Sequence, residues 1–133
     1  MPHTTDIKVR GYHLDLYGHV NNARYLEFLE EARWSLLEQT GNTDTFTRSN
    51  LGFSIVNINI NYRRPAFLGE ILEIESALAS VGNRSAKIHQ EVRLKGPGTP
   101  VADADVTFVV VDAHEGRALP MEGELRRLIE GMA

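Results

Sequence analysis

Asp15, His19, Asn21 and Asn22 stand together in one short polar stretch, Asp15-Leu16-Tyr17-Gly18-His19-Val20-Asn21-Asn22. Its composition and Gly18 read as a loop, and a helical pattern begins directly after it at Ala23. The start of a helix presents unpaired N–H groups and partial positive charge. Such a terminus polarises a carbonyl and holds the oxyanion that forms when that carbonyl is attacked. A nearby carboxylate, here Asp15, can act as base toward water or attack as a nucleophile. Both halves of an acyl-transfer site therefore fall within one loop, with His19 as an extra donor. The same residues also suit a structural role, with Asp15 forming a turn and Asn21 or Asn22 capping the helix.

Other chemistries lack their residues. There is no cysteine, so a thiol nucleophile, a disulfide and a thiolate metal site are all excluded. His3, His13, His19, His89 and His114 share no helical ligand spacing, and no metal site is expected. The chain has no G-x-S-x-G elbow and no glycine-rich phosphate loop, and no cofactor is expected. A net charge of −4 argues against nucleic acid as a partner, because few cations are free to displace counterions from phosphates. With 133 residues, 42% of them hydrophobic, the chain is long enough for a buried core and is expected to form one domain over residues 1–133. Met1 to Asp6 shows no basic region followed by an apolar stretch, and no apolar run approaches the roughly 20 residues that span a bilayer. A cytoplasmic protein without membrane insertion is the expectation.

The elements that must position the loop follow from periodicity. Asp6 to Leu14, with Ile7 and Val9 alternating with Lys8 and Arg10, predicts a strand. Ala23 to about Gln39 predicts a helix whose apolar residues leave only a narrow polar strip at Glu27, Glu30, Glu31 and Glu38, hence a largely buried one. Gly41 and Asn42 end it, and a polar loop runs from Gly41 to Asn50. Val56, Ile58, Ile60 and Tyr62 alternate with Asn57, Asn59 and Asn61, the clearest strand pattern in the chain. Further strands are expected from Gly69 to Val81, Ser85 to Leu94 and Val101 to Val111, separated by the Gly82-Asn83 and Gly96-Pro97-Gly98 turns. A short amphipathic helix closes the chain from Glu122 to Met132. One apolar helix followed by four antiparallel strands suggests a sheet curled around that helix. Such a sheet leaves a face and two edges uncovered, so a homo-oligomer is expected.

The run Asp15 to Glu27 resembles the active-site signature of the 4-hydroxybenzoyl-CoA thioesterase-like branch of the hotdog superfamily. It has an Asp, a Gly three residues on, an aliphatic residue two beyond, and an Asn with aromatic company at the helix start. Tyr62-Arg63-Arg64-Pro65 followed by Gly69-Glu70 is a second feature of that family. Arg10-Gly11-Tyr12-His13-Leu14-Asp15 and Glu27 to Trp34 are similar, more narrowly, to the bacterial long-chain acyl-CoA thioesterases called thioesterase III.

The resemblance implies an α+β hotdog fold, with a five-stranded antiparallel sheet wrapped around a long central helix and a short C-terminal helix. It implies hydrolysis of a fatty acyl-CoA, without a cofactor, by a dimer of dimers. Asp15 matches the catalytic aspartate, and the backbone N–H that polarises the thioester falls at Asn22. His19 and Tyr25 are candidate substrate-contacting residues, His19 equally suiting a structural donor of the loop. Arg84 matches loosely a position that binds the nucleotide of coenzyme A; Arg63 and Arg64 are weaker candidates for that role, and all three also suit a solvated turn. Glu27, Glu30 and Glu31 offer either a second carboxylate or a polar helix strip. Asn57, Asn59 and Asn61 form either a solvated sheet face or a polar interface. An acyl-carrier-protein thioesterase and a non-catalytic acyl-CoA-binding module are the alternatives to an acyl-CoA thioesterase.

Overall fold

The computed structural model describes residues 2–41, 48 and 50–132, so most of the loop expected between Gly41 and Asn50 lies outside the described residues. In chain order there are strand β1 (His3–Lys8), a 3-10 turn (Gly11–His13), helix α1 (Arg24–Gln39), strands β2 (Leu51–Tyr62), β3 (Ile71–Val81), β4 (Ala86–Leu94), β5 (Pro100–Asp112) and β6 (Arg117–Ala118), and helix α2 (Gly123–Glu130). The sheet is antiparallel with order β1-β3-β4-β5-β2, and the two-residue β6 adds to β5. The expected five strands and two helices are therefore present, with β6 an addition too short to leave a periodic signal.

Two boundaries differ from expectation. The first strand runs from His3 to Lys8 and pairs with Ser76 to Ile71; residues 11–13 leave it as a tight turn. Its early half is polar and pairs through backbone alone, which side-chain alternation does not reveal. β2 begins at Leu51, and a bulge between Ile55 and Asn57 interrupts its pairing with β5. A bulge adds one residue and shifts the alternation. Ile58 and Ile60 consequently pack on the core, whereas Val56 is 56% exposed.

α1 is held by one face. Tyr25, Phe28, Leu29, Ala32 and Leu36 recur at helical spacing and are buried, while Leu26 and Trp34 are exposed. The helix is thus amphipathic within one chain, not buried around its girth, and Glu31 lies on the exposed side. The core under α1 divides into two clusters, one with Val9, Leu72, Ile74 and Val106, the other with Ile88, Phe108, Ile129 and Met132.

Between them lie two polar residues with no exposed surface, Ser76 on β3 and, paired with it on the middle strand β4, Gln90. Gln90 makes the link to the helix. Its Nε2 donates to the Leu29 carbonyl of α1 at 3.0 Å and to Ser76 Oγ of β3 at 2.9 Å. Its Oε1 accepts from Arg33 Nη1 at 3.2 Å. A buried amide is stable only when paired, and here its pairing ties helix to sheet. His3 Nε2 and Ser35 Oγ, 3.1 Å apart, tie the helix to β1. No helix among the described residues is long and apolar enough to cross a membrane.

Replacing Gln90 with Ala leaves Ser76 and Arg33 without this partner and opens a cavity. We expect Gln90→Ala to lower the unfolding free energy by about 2–4 kcal/mol in urea titrations. A loss below about 1 kcal/mol would show that the helix is held by apolar contact alone.

Candidate active site

Loop 15–22 is a small antiparallel hairpin that folds back before α1. Leu14 and Val20 form a β-bridge, the Asp15 N–H donates to the His19 carbonyl at 2.9 Å, and the Asn21 N–H donates to the His13 carbonyl at 3.0 Å. Gly18 turns the chain at φ 82°, a conformation glycine adopts without penalty. The hairpin is docked through the Val20 N–H, which donates to the Ala66 carbonyl at 2.9 Å.

Asp15 lies at the turn end of this hairpin with its side chain 22% exposed. Oδ1 accepts the Tyr17 N–H at 2.9 Å, which fixes the carboxylate as an Asx turn. Oδ2 is 3.8 Å from His19 Nδ1, too far for a hydrogen bond and near enough to attract a protonated ring. One carboxylate oxygen is therefore committed to the loop, and the other has no hydrogen-bond partner among the described residues.

The residue before α1 is Ala23, which has no capping side chain, and Asn21 holds the turn that leads into the helix. Its side chain accepts the Ala23 N–H at 2.9 Å and its carbonyl accepts the Arg24 N–H at 2.9 Å. The Asn22 N–H has no acceptor among the described residues, and the Asn22 carbonyl accepts the Tyr62 hydroxyl at 2.9 Å. Tyr62 thus grips the peptide that follows Asn22 while leaving its N–H free.

The other expected residues fall in different places. The His19 ring stacks on Tyr17 and meets Phe67 edge-on, with centroids 6.1 Å and 6.2 Å away. Tyr25 is buried and meets Tyr62 and Phe28 edge-on. Burial raises its phenol pKa, while a hydrogen bond with the Ala66 backbone opposes the rise. Tyr25 thus supports the Tyr62 ring from within the core.

Arg63 is on the outer face of the sheet, where Nε donates to Asp103 Oδ2 at 2.8 Å. That bond raises the Arg63 pKa and lowers the Asp103 carboxyl. Asn61 also donates to Asp103, at 3.1 Å, so the asparagine face carries specific pairing at this position. Arg64 donates to Glu70 at 3.3 Å, and its guanidinium stands 5.7 Å from the Phe67 ring centroid. Arg84 is exposed in the β3–β4 turn and makes no ion pair among the described residues. The length of β3, roughly 33 Å from Ile71 to Val81, separates that turn from the Asp15 end.

Sequence reasoning missed three supports. Tyr62 reads in sequence as the end of a strand and the first residue of the Tyr62-Arg63-Arg64-Pro65 run; its reach to Asn22 bridges distant segments and leaves no local signal. Glu70 accepts the Phe67 N–H at 2.7 Å and so shapes the loop against which His19 bridges. His13 is buried, accepts the Arg10 N–H through Nδ1 at 2.9 Å and packs edge-on against Phe28. The pairing of Gly69 and Glu70 behind Tyr62-Arg63-Arg64-Pro65 was the available signal for Glu70. Among the described residues no group of three or more His, Asp or Glu is placed to hold a metal ion.

Residues 9–129 match the thioesterase-like superfamily. The chain is 54% identical to the long-chain acyl-CoA thioesterase FadM of Escherichia coli (strain K12), covering 96% of this chain and 97% of that one. It is 31% identical to the chloroplastic acyl-acyl carrier protein thioesterase ATL3 of Arabidopsis thaliana, over 65% of this chain and 45% of that protein. The crystal structure of YbaW, a probable thioesterase from Escherichia coli, superposes with a TM-score of 0.92 at 53% identity, covering 98% of each chain.

Two histidines give the protein opposing responses to pH. Burial holds the His13 imidazole below its usual 6.5, with Arg24 and Arg10 adding repulsion and Glu27 opposing them. The unfolded chain then takes up this proton more readily, so stability is full above about pH 6.5 and falls as the pH drops below it. His89 is raised above 6.5 by hydrogen bonds to Asp105 and Glu91, so its contribution is present at low pH and is lost as the pH rises through the raised value. Between about pH 7.5 and 5.5 we expect His13→Gln to lessen the fall in Tm and His89→Gln to steepen it. Identical pH slopes for the wild type and both variants in thermal melts would refute both assignments.

Proposed function

The chain belongs to the thioesterase-like superfamily, and on that footing we propose that it hydrolyses a long-chain acyl-CoA to the free fatty acid and coenzyme A. The supporting observation is the pairing of a fixed carboxylate, Asp15, with an unoccupied backbone donor, Asn22 N–H, across one short hairpin. The 54% identity to a long-chain acyl-CoA thioesterase over nearly the whole chain favours an enzyme over a non-catalytic binding module. It also favours coenzyme A over a carrier protein as the thiol, since the carrier-protein relative is matched at 31% over a part of its length.

The Asn22 N–H, with the positive end of α1 behind it, takes the thioester carbonyl oxygen. Asp15 Oδ2 removes a proton from water as the water attacks the carbonyl carbon. The tetrahedral oxyanion collapses, the C–S bond breaks, and the proton held by Asp15 passes to the departing thiolate. Alternatively, Asp15 attacks first, expels the thiolate and forms a mixed anhydride that water then cleaves. His19, beside Asp15, contacts the substrate from the loop, while Tyr25 acts through Tyr62.

The nucleotide of coenzyme A needs cations. Arg63 is neutralised by Asp103, whereas Arg84 is not paired among the described residues. Arg84 reaches a catalytic loop only from a second copy of the chain, because the length of β3 separates the two within one copy. A homodimer also answers the free edge of β2, beside which Ile55, Val56 and Trp34 are exposed. Pairs of such dimers are the assembly the family resemblance implies. The cytoplasm, where acyl-CoA is used, is the proposed location.

Asp15→Asn keeps the loop geometry and removes the base. We expect kcat for hexadecanoyl-CoA to fall by about 10²–10⁴-fold in a free-thiol release assay, with Tm little changed. Wild-type turnover by this variant would exclude the mechanism. Arg84→Ala is expected to raise KM several-fold for acyl-CoA and to leave KM for the matching acyl-pantetheine unchanged. Equal effects on both thioesters would remove Arg84 from nucleotide binding.

A further inference from the structure

The turn between β3 and β4 is held by the C-terminal segment. Val81 and Ala86 are the last residues paired between the two strands, so residues 82–85 form the loop, and Arg84 is its one charged residue. The Gly82 N–H closes the loop on the Ser85 carbonyl at 2.8 Å. Three successive carbonyls then accept from the C-terminal segment. Arg126 Nη2 of α2 donates to the Val81 carbonyl at 3.2 Å, and Nη1 to the Gly82 carbonyl at 3.3 Å. The Met121 N–H donates to the Asn83 carbonyl at 2.7 Å.

Arg126 is itself fixed. Nη1 also donates to the Met121 carbonyl at 3.3 Å, and Nε lies 3.4 Å from Glu130 Oε2, one helical turn further on. Each of its three guanidinium nitrogens is therefore engaged within the protein. A planar guanidinium can serve neighbouring carbonyls at once, which the single ammonium of a lysine does less well. The ground on which it stands is firm, because Met121, Ile129 and Met132 are buried in the apolar cluster that contains Phe108. Arg84, by contrast, is exposed and makes no ion pair among the described residues.

We propose that Arg126 is the positioning residue of the nucleotide site. It holds the backbone of the β3–β4 turn, so that Arg84 meets a phosphate of coenzyme A without the loop first having to be ordered. A binding loop ordered in advance gains affinity because that ordering is not charged to the binding step. Arg84 keeps a full set of donors for a charge-assisted bond to phosphate, while Arg126 has turned its own inward. The proposal rests on the assignment of Arg84 to the nucleotide and adds the residue through which the C-terminal helix serves substrate binding.

Arg126→Met keeps the reach of the side chain and removes its hydrogen bonds. It is expected to raise KM for hexadecanoyl-CoA several-fold, and to leave kcat and the KM for the matching acyl-pantetheine unchanged. Combined with Arg84→Ala it should add nothing to the effect of Arg84→Ala alone, because a positioning residue acts only through the residue it places. Arg126→Lys retains the charge without the fork, so its KM for hexadecanoyl-CoA should also exceed that of the wild type; it carries the test if Arg126→Met does not fold. A role confined to stability would lower Tm and leave both KM values at wild type. That result, with Arg84→Ala still raising KM for hexadecanoyl-CoA, would overturn the proposal and keep the nucleotide reading of Arg84. Additive increases in the double variant would place Arg126 on the nucleotide itself and overturn the proposal too. If Arg84→Ala leaves KM for hexadecanoyl-CoA unchanged, the nucleotide reading of Arg84 falls, and the role of Arg126 falls with it.

Discussion

Gln90 has no surface exposed and three polar contacts to satisfy, and the placing of α1 depends on how it satisfies them. β4 is the middle strand of the sheet, so a side chain rising from it can reach the helix at mid-length. Apolar packing alone would let a helix slide or rotate over the sheet at little cost, since Leu, Ile and Val contacts are not directional. The bond to the Leu29 carbonyl removes that freedom, because an unpaired buried amide costs about 1–3 kcal/mol. With the middle fixed, the start of α1 falls beside Tyr62 and Ala66, and its far half falls beside Leu51 and Phe53.

The hairpin at the head of α1 works within that frame. Its hydrogen bonds hold most of the backbone N–H groups from His13 to Arg24; those of Leu16, His19 and Asn22, with one oxygen of Asp15, have no hydrogen-bond partner among the described residues, and of the three N–H groups that of Asn22 stands at the head of α1. This selective satisfaction separates a potential oxyanion site from an ordinary capped helix. Asn21 holds the turn into α1 through its own side chain, so that of Asn22 is not needed there. The Asn21 carbonyl, which accepts the Arg24 N–H, orients the peptide that carries the Asn22 N–H, and Tyr62 holds the Asn22 carbonyl on the next peptide. Glu70 performs the same service on the opposing segment, where it holds Phe67 and Arg64.

Much of this was legible in the order of residues. The alternation through Ile58 and Ile60, the helix from Ala23 to Gln39 and the turn at Gly82-Asn83 all predict elements that are present. These signals are local: a repeat of two or of 3.6 residues reflects which side of one element is apolar. Where the expectation failed, the cause was distant pairing. Val56 left the apolar face because of a bulge set by β5, and His3 to Thr5 became strand because β3 offered them partners. Trp34 and Leu26 read as core because their apolarity is visible in sequence and their orientation is not.

The sequence by itself determined the hairpin, with Asp15, Gly18 and Asn21 each needing only near neighbours to take their roles. It also carried the family signature and the absence of thiol chemistry. Only the tertiary structure decided that Tyr62 grips Asn22, that Gln90 pins the helix, and that Arg63 is neutralised by Asp103 while Arg84 stands at the far end of β3. Each of these joins residues about 40 or more positions apart, or separates residues by the length of a strand, and no local periodicity encodes such distances. Asp15 and Asn22 are readable because one loop contains both; the surroundings that orient them come from the packing of the whole chain.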